Sequence, residues 1–181
     1  PTTLNEMDGC QVDPEETRAQ WEEAVGMIPR MWTEDPFTHE GRFYQIPPRS
    51  VIPKPVQKPH PPLWVACSQP DSFRAAGEMG LGALCFNLGG YAQVAERVAL
   101  YREGIKHAKP VGSFVHNQIA ALCATHCADT DEEAHEFAGP EGVWFVQMAE
   151  KLYAPWQGRR VPDSYKFAVS AIQQERTGKS F

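Results

Sequence analysis

Chemistry in this chain of 181 residues concentrates where one apolar run stops. Pro62-Leu63-Trp64-Val65-Ala66-Cys67 is followed at once by Ser68-Gln69-Pro70-Asp71, a polar helix start. A serine or asparagine-like side chain and unpaired backbone N–H groups at a helix N-terminus can receive an anion, a phosphate above all. Ser68 is the first candidate, beside the free N–H groups at the start of the helix. A competing reading makes Ser68 an N-cap only, with Asp71 completing a capping box. Asp71 also opposes an anion, because a carboxylate in the first turn occupies the positive end of the helix dipole. Cys67, beside a helix start, is either an activated thiol or a buried, inert one, and the apolar run favours the second.

Other chemistry-bearing residues assemble less well. His116, Cys123, His126 and Cys127 suggest a metal, but on a strand Cys123 and Cys127 share a face while His126 points away. A structural zinc site wants four convergent ligands, so no metal is expected. His39 and His60 read as solvated loop histidines. No Ser-His-Asp set, paired carboxylates, GxGxxG or P-loop motif is found, which argues against an ordinary dinucleotide or nucleotide fold. No general base or other catalytic residue can be assigned.

The elements that must position this turn follow from patterning. Residues 63–67 read as a strand, 70–79 as a helix stopped by Gly80, and 82–86 as a second strand. An amphipathic helix over about 91–108 ends at Pro110, and a third strand covers 115–125. Asp129-Thr130-Asp131-Glu132-Glu133 opens another helix with capping-box chemistry. Gly139-Pro140 is expected to break it, with a further helix over 142–153. Residues 154–181 read as loop, with one short helix near 163–174. Upstream, residues 1–12 read as irregular. Asp13, Pro14 and Glu16 suit N-cap, N1 and N3 of a helix whose last turn Pro29 should loosen. Residues 37–46 read as a hairpin turning at Glu40-Gly41, with Phe43-Tyr44 in the return strand. Seven prolines between 47 and 62 make a stiff extended segment. It reads as a fixed crossing segment, or alternatively as a ligand for a proline-binding module.

Strands alternating with helices imply an α/β fold with a parallel sheet and right-handed crossovers. Ligands then bind at the C-terminal strand ends, in an open sheet or in a barrel. The length suits a single domain. A net charge of −6 and no basic patch argue against nucleic acid. No apolar run is long enough to span a bilayer, and no signal peptide is evident. Five cysteines, an odd count with irregular spacing, fit reduced thiols and a cytoplasmic location. Cys67, Cys85 and Cys123 fall in apolar runs and are expected to be buried.

Two segments carry a family likeness. Trp32…Pro36-Phe37-Thr38-His39-Glu40-Gly41-Arg42-Phe43-Tyr44, then Pro53-Lys54-Pro55-Val56-Gln57-Lys58-Pro59-His60-Pro61-Pro62-Leu63-Trp64-Val65-Ala66, resembles the flavin-dependent luciferase-like monooxygenases. Ala66-Cys67-Ser68, Phe73-Arg74-Ala75-Ala76, Gly82-Ala83-Leu84-Cys85-Phe86 and the run at 129–134 continue the series, which covers roughly residues 13–138. The resemblance implies a TIM-type (β/α)8 barrel, of which this chain supplies about strands five to seven, so a piece of a longer protein is expected. It implies reduced FMN or the deazaflavin F420 as cofactor. It further implies oxygen, a small organic substrate, reduced flavin supplied by a reductase, and a homo- or heterodimer. A non-catalytic half-barrel that binds flavin or a partner chain is the alternative. By the same resemblance Ala66, Cys67, Ser68 and Gln69 hold the flavin phosphate. Phe86 and Asn87 lie by the ring or the substrate, unless Phe86 is core and Asn87 a turn residue.

Overall fold

A computed structural model describes residues 3–86, 90–153, 160–163 and 165–166. Two compact units are formed, one of residues 18–123 and one of residues 1–17 with 124–181.

In the larger unit, helix α2 (Thr17–Thr33) leads into an antiparallel pair, β1 (Phe37–Glu40) and β2 (Gln45–Arg49). A proline-rich segment then crosses to β3 (Trp64–Cys67), α3 (Pro70–Glu78), β4 (Gly82–Phe86), α4 (Gly90–Ile105) and β5 (Ile119–Leu122). The three later strands form a parallel sheet in the order β3-β4-β5. Register is unbroken: Ala66 lies beside Leu84 and Leu84 beside Ala120, while Cys67 lies beside Cys85. The parallel sheet expected from alternating patterns is therefore present.

Alternation along the strands sorts their side chains. Cys67, Ala83 and Cys85 are buried in one core with Phe73, Ala76, Leu81, Tyr101 and Val25. Trp64, Ala66, Leu84, Ala120 and Leu122, on the other face, are exposed. Helices α3 and α4 pack closely because Gly104 has no side chain: a Cβ there would strike the Arg74 carbonyl oxygen. The Tyr101 hydroxyl lies 2.8 Å from the Leu81 carbonyl oxygen and 2.9 Å from that of His116, tying the approaches to β4 and β5 together.

Several local expectations are corrected. Helix α2 begins at Thr17, because Asp13 accepts the Glu15 N–H at 2.9 Å and closes a separate turn. Pro29 does not loosen the last turn. The Thr33 hydroxyl bonds the Pro29 carbonyl at 2.9 Å, and Lys54 Nζ caps the carbonyls of Met31 and Glu34 at 2.9 and 2.6 Å. Phe43 and Tyr44 lie in the hairpin turn, since their N–H groups are taken by Glu23 and are lost to strand pairing. Strand β5 is shorter than 115–125, and Cys123 lies just past its end, exposed rather than buried.

The smaller unit contains α1 (Leu4–Gly9), missed in the sequence, with a Thr3/Glu6 capping box. Its Leu4 and Met7 pack with Tyr165. Helix α5 (Asp131–Tyr153) runs through Gly139-Pro140 without a break. One proline removes one N–H, and the bonds on either side carry a long helix past it. Most of the stretch expected to hold a short helix near 163–174 lies outside the described residues.

Candidate functional site

The site is built where β3 and β4 end side by side. Ala66 is exposed, Cys67 is 4% exposed, and Ser68 is exposed one residue before the helix cap. The N-cap of α3 is Gln69, not Ser68, so the expected capping role of Ser68 is corrected. Pro70 explains the shift. Proline suits the first helical position, and the residue before it is held extended, as Gln69 is at φ −112°, ψ 149°. The box partner is Ser72 rather than Asp71. Ser72 Oγ accepts the Gln69 N–H at 3.2 Å and donates to the Gln69 carbonyl at 2.5 Å. Ser68 is thereby released from capping, with its side chain at the surface.

The Gln69 N–H is spent on Ser72, and the Ser72 N–H bonds the Gln69 carbonyl at 3.0 Å. Asp71 N–H belongs to the first turn, whose donors have no partner within the helix. The Asp71 carboxylate is exposed in that same turn. The Cys67 thiol is pushed up to about 11, by burial above all. Its contact with Ser72 works the other way, and neighbouring Cys85 adds to the rise. A thiol so placed stays protonated near neutral pH, which fits the buried rather than the activated reading of Cys67.

The backbone of Phe86 ends β4 in register with Leu122. Asn87 lies outside the described residues. Ala66, Cys67, Ser68, Gln69 and the backbone of Phe86 therefore share the C-terminal ends of two neighbouring strands. His116 does not join them: it precedes β5, with its ring against Trp64 at 4.5 Å between centroids. Cys123, His126 and Cys127 are exposed after β5, and no three His, Cys, Asp or Glu converge among the described residues.

The loop histidines are also corrected. His60 is 3% exposed, stacked on Phe114 at 4.9 Å, and its Nε2 accepts the Ser113 N–H at 2.8 Å. Its Nδ1 therefore carries the proton and donates to the Pro61 carbonyl at 2.7 Å. His39 meets Glu23 at 3.0 Å. Lys54 and His60 both anchor the proline-rich segment, which favours the crossing role over a free ligand. No spacing in the sequence announces Glu23, Lys54 or His60, because their partners are remote or are backbone groups.

A parallel sheet with its helices, and a polar turn at the C-terminal strand ends, defines an α/β protein. The chain belongs to the luciferase-like monooxygenase family, whose model matches residues 2–178. It is 27% identical over 124 residues to the oxygenase component of a flavin-dependent trigonelline monooxygenase of Acinetobacter baylyi, covering 68% of this chain and 33% of that one. It is 38% identical over 58 residues to an FMNH2-dependent dimethylsulfone monooxygenase of Pseudomonas putida, 32% of this chain and 15% of that one. An F420-dependent glucose-6-phosphate dehydrogenase of Kineococcus radiotolerans is 32% identical over 89 residues, 49% of this chain and 26% of that one. The crystal structure of monooxygenase RslO1 from Streptomyces bottropensis superposes with a TM-score of 0.71 at 23% identity, over 98% of this chain and 56% of that one. That likeness supports the fold. The chain spans a third or less of the length of these curated relatives. No described helix is long and apolar enough to cross a membrane.

Proposed function

We propose that this chain is the part of a flavin-dependent monooxygenase or oxidoreductase that receives the phosphate end of reduced FMN or F420. The observation that carries this is the release of Ser68. Capping of α3 is completed by Gln69 and Ser72, which leaves an exposed hydroxyl beside the first turn of a helix, at the C-terminal end of a parallel strand. Those donors fit a phosphate, and Asp71 is the one opposing charge in the turn. Relatives that depend on FMNH2 and on F420 support either as the cofactor.

A bound reduced flavin supplies the electrons for attack on oxygen or for hydride transfer. This chain's own part is to bind and orient. By the family likeness Ser68 would donate to a phosphate oxygen, the Ala66–Gln69 backbone would shape the turn, and Phe86 and Asn87 would be assigned to the ring or a small organic substrate. The apolar face of Trp64, Leu84 and Leu122 becomes the inside of a (β/α)8 barrel of which this chain forms about strands five to seven, and excludes water there. Catalytic residues are assigned to none of these positions. A separate reductase delivers reduced flavin, in keeping with a relative named as an oxygenase component. The setting is cytoplasmic, and the assembly a homo- or heterodimer.

The same open apolar face favours a second reading, a non-catalytic half-barrel that binds flavin or another chain. Native mass spectrometry of the natural gene product containing this segment, with FMN added, tests the two. A chain well above 20.2 kDa that retains FMN and turns over supports the enzyme; FMN retention by a 20.2 kDa chain without turnover supports the alternative.

A further inference from the structure

Two thiols meet beneath the proposed phosphate turn. Cys67 and Cys85 are register partners in adjacent parallel strands, and side chains of register partners share one face. They are 4% and 5% exposed, both belong to the core beneath α3 and α4, and both are free. Adjacent strands lie about 4.8 Å apart. That spacing falls within the roughly 4.4–6.8 Å between Cα atoms that a disulfide spans, and closure must also draw the two Cβ atoms, which stand side by side on one face, to about 3.5–4.5 Å. Cys10, Cys123 and Cys127, in contrast, are exposed.

We infer that Cys67 and Cys85 form a redox site, closing under a peroxide oxidant to a disulfide that ties β3 to β4 and disturbs the turn at Ser68. Hydrogen peroxide is the oxidant named here. One thiolate attacks a peroxide oxygen, giving a sulfenic acid and one water. The second thiol attacks that sulfur, the S–S bond forms, and a second water leaves. Two thiols lose two protons and two electrons in all, and one peroxide becomes two waters.

The consequence for the turn follows from one contact. The Cys67 thiol lies 3.5 Å from the Ser72 carbonyl oxygen, in the first turn of α3. A disulfide sulfur has no S–H, so closure ends that hydrogen bond, and Ser72 is the residue whose side chain holds the Gln69 N–H. Burial of both thiols and the raised pKa of Cys67 make closure slow near neutral pH, and it quickens as pH rises toward about 11. The effect on flavin rests on the function proposed above; the bond itself does not.

The folded chain is incubated with hydrogen peroxide at pH 7 and pH 9, remaining thiols are blocked, and unreduced peptides are mapped by mass. Cleavage at Arg74 separates the two cysteines, so a disulfide appears as two joined peptides. The expected result is this joined pair, formed faster at pH 9, reversed by dithiothreitol and absent in Cys85→Ala. The dissociation constant for FMN should rise about tenfold on closure, the worth of one hydrogen bond to a charged group. Recovery of Cys67 and Cys85 as free thiols after Cys10, Cys123 and Cys127 have been oxidised, in a chain still folded by circular dichroism, would overturn the inference. A joined pair with unchanged FMN affinity would overturn its control of the turn. A joined pair in a protein that never binds FMN would leave the redox site standing and remove the flavin reading.

Discussion

Glu23 Oε1 and His39 Nε2 meet at 3.0 Å, joining the middle of α2 to β1. The same carboxylate accepts the N–H groups of Arg42, Phe43 and Tyr44 at 3.0, 3.1 and 3.0 Å. Four donors thus close on one side chain and set the shape of the turn over residues 41–44. That turn is the Gly-Arg-Phe-Tyr wording by which the family likeness is read. Its physical content is a carboxylate held by successive backbone amides.

This cluster gives the hairpin an acid limit. Burial acts to raise the Glu23 carboxyl, but hydrogen bonds from His39, Phe43, Tyr44 and Arg42 outweigh it and hold the group below its ordinary 4.5. A group depressed in the folded state contributes stability above its unfolded pKa and loses it as pH falls through the folded one. Thermal melts between pH 7 and pH 3 should show Glu23→Gln less stable than the parent at pH 7, with the difference closing below about pH 4. Glu22→Gln, which removes only an exposed partner of Arg18, should leave the melting temperature nearly unchanged. Equal effects of the two substitutions would refute the cluster's role.

Two glycines should respond with opposite signs to alanine. A Cβ at Gly41 would fall on Glu23 Oε1 and His39 Nε2, whereas one at Gly26, inside α2, meets nothing within 4 Å. Gly41→Ala should destabilise by about 1–3 kcal/mol, the usual cost of overpacking. Gly26→Ala should stabilise by about 0.5–1 kcal/mol, through helix propensity. Urea denaturation of both variants checks the pair of signs.

Tyr101 is 1% exposed, and its hydroxyl lies between the carbonyls of Leu81 and His116. Tyr101→Phe keeps the ring and removes the one buried proton that the Leu81 and His116 carbonyls share. A loss of about 1–3 kcal/mol is expected from unsatisfied buried groups. An unchanged urea midpoint would mean that the hydroxyl does not tie the two strand approaches together.

Much of the sheet was legible because β3, α3 and β4 obey local rules. Apolar runs, a proline-marked helix start and Gly80 as a stop lie within a few residues of each other. Ser68 has the better capping chemistry, yet Pro70 fixes the N-cap one residue later, at Gln69. The histidines escape local pattern because their burial comes from remote partners: Ser113 for His60 and Glu23 for His39. Cys123 looked like core from its apolar neighbours, yet β5 stops one residue earlier. Helix α5 shows the reverse limit, where Gly139-Pro140 is a local breaker overridden by the turns around it.

The claim that Ser68 receives a flavin phosphate is tested most directly by titrating the natural protein containing this chain with FMN and with riboflavin, which lacks the phosphate. Ser68→Ala should weaken FMN by about 10–100-fold, the worth of a hydrogen bond to a charged group, and leave riboflavin unchanged. Full FMN affinity in Ser68→Ala, or an equal loss for both ligands, would contradict the assignment.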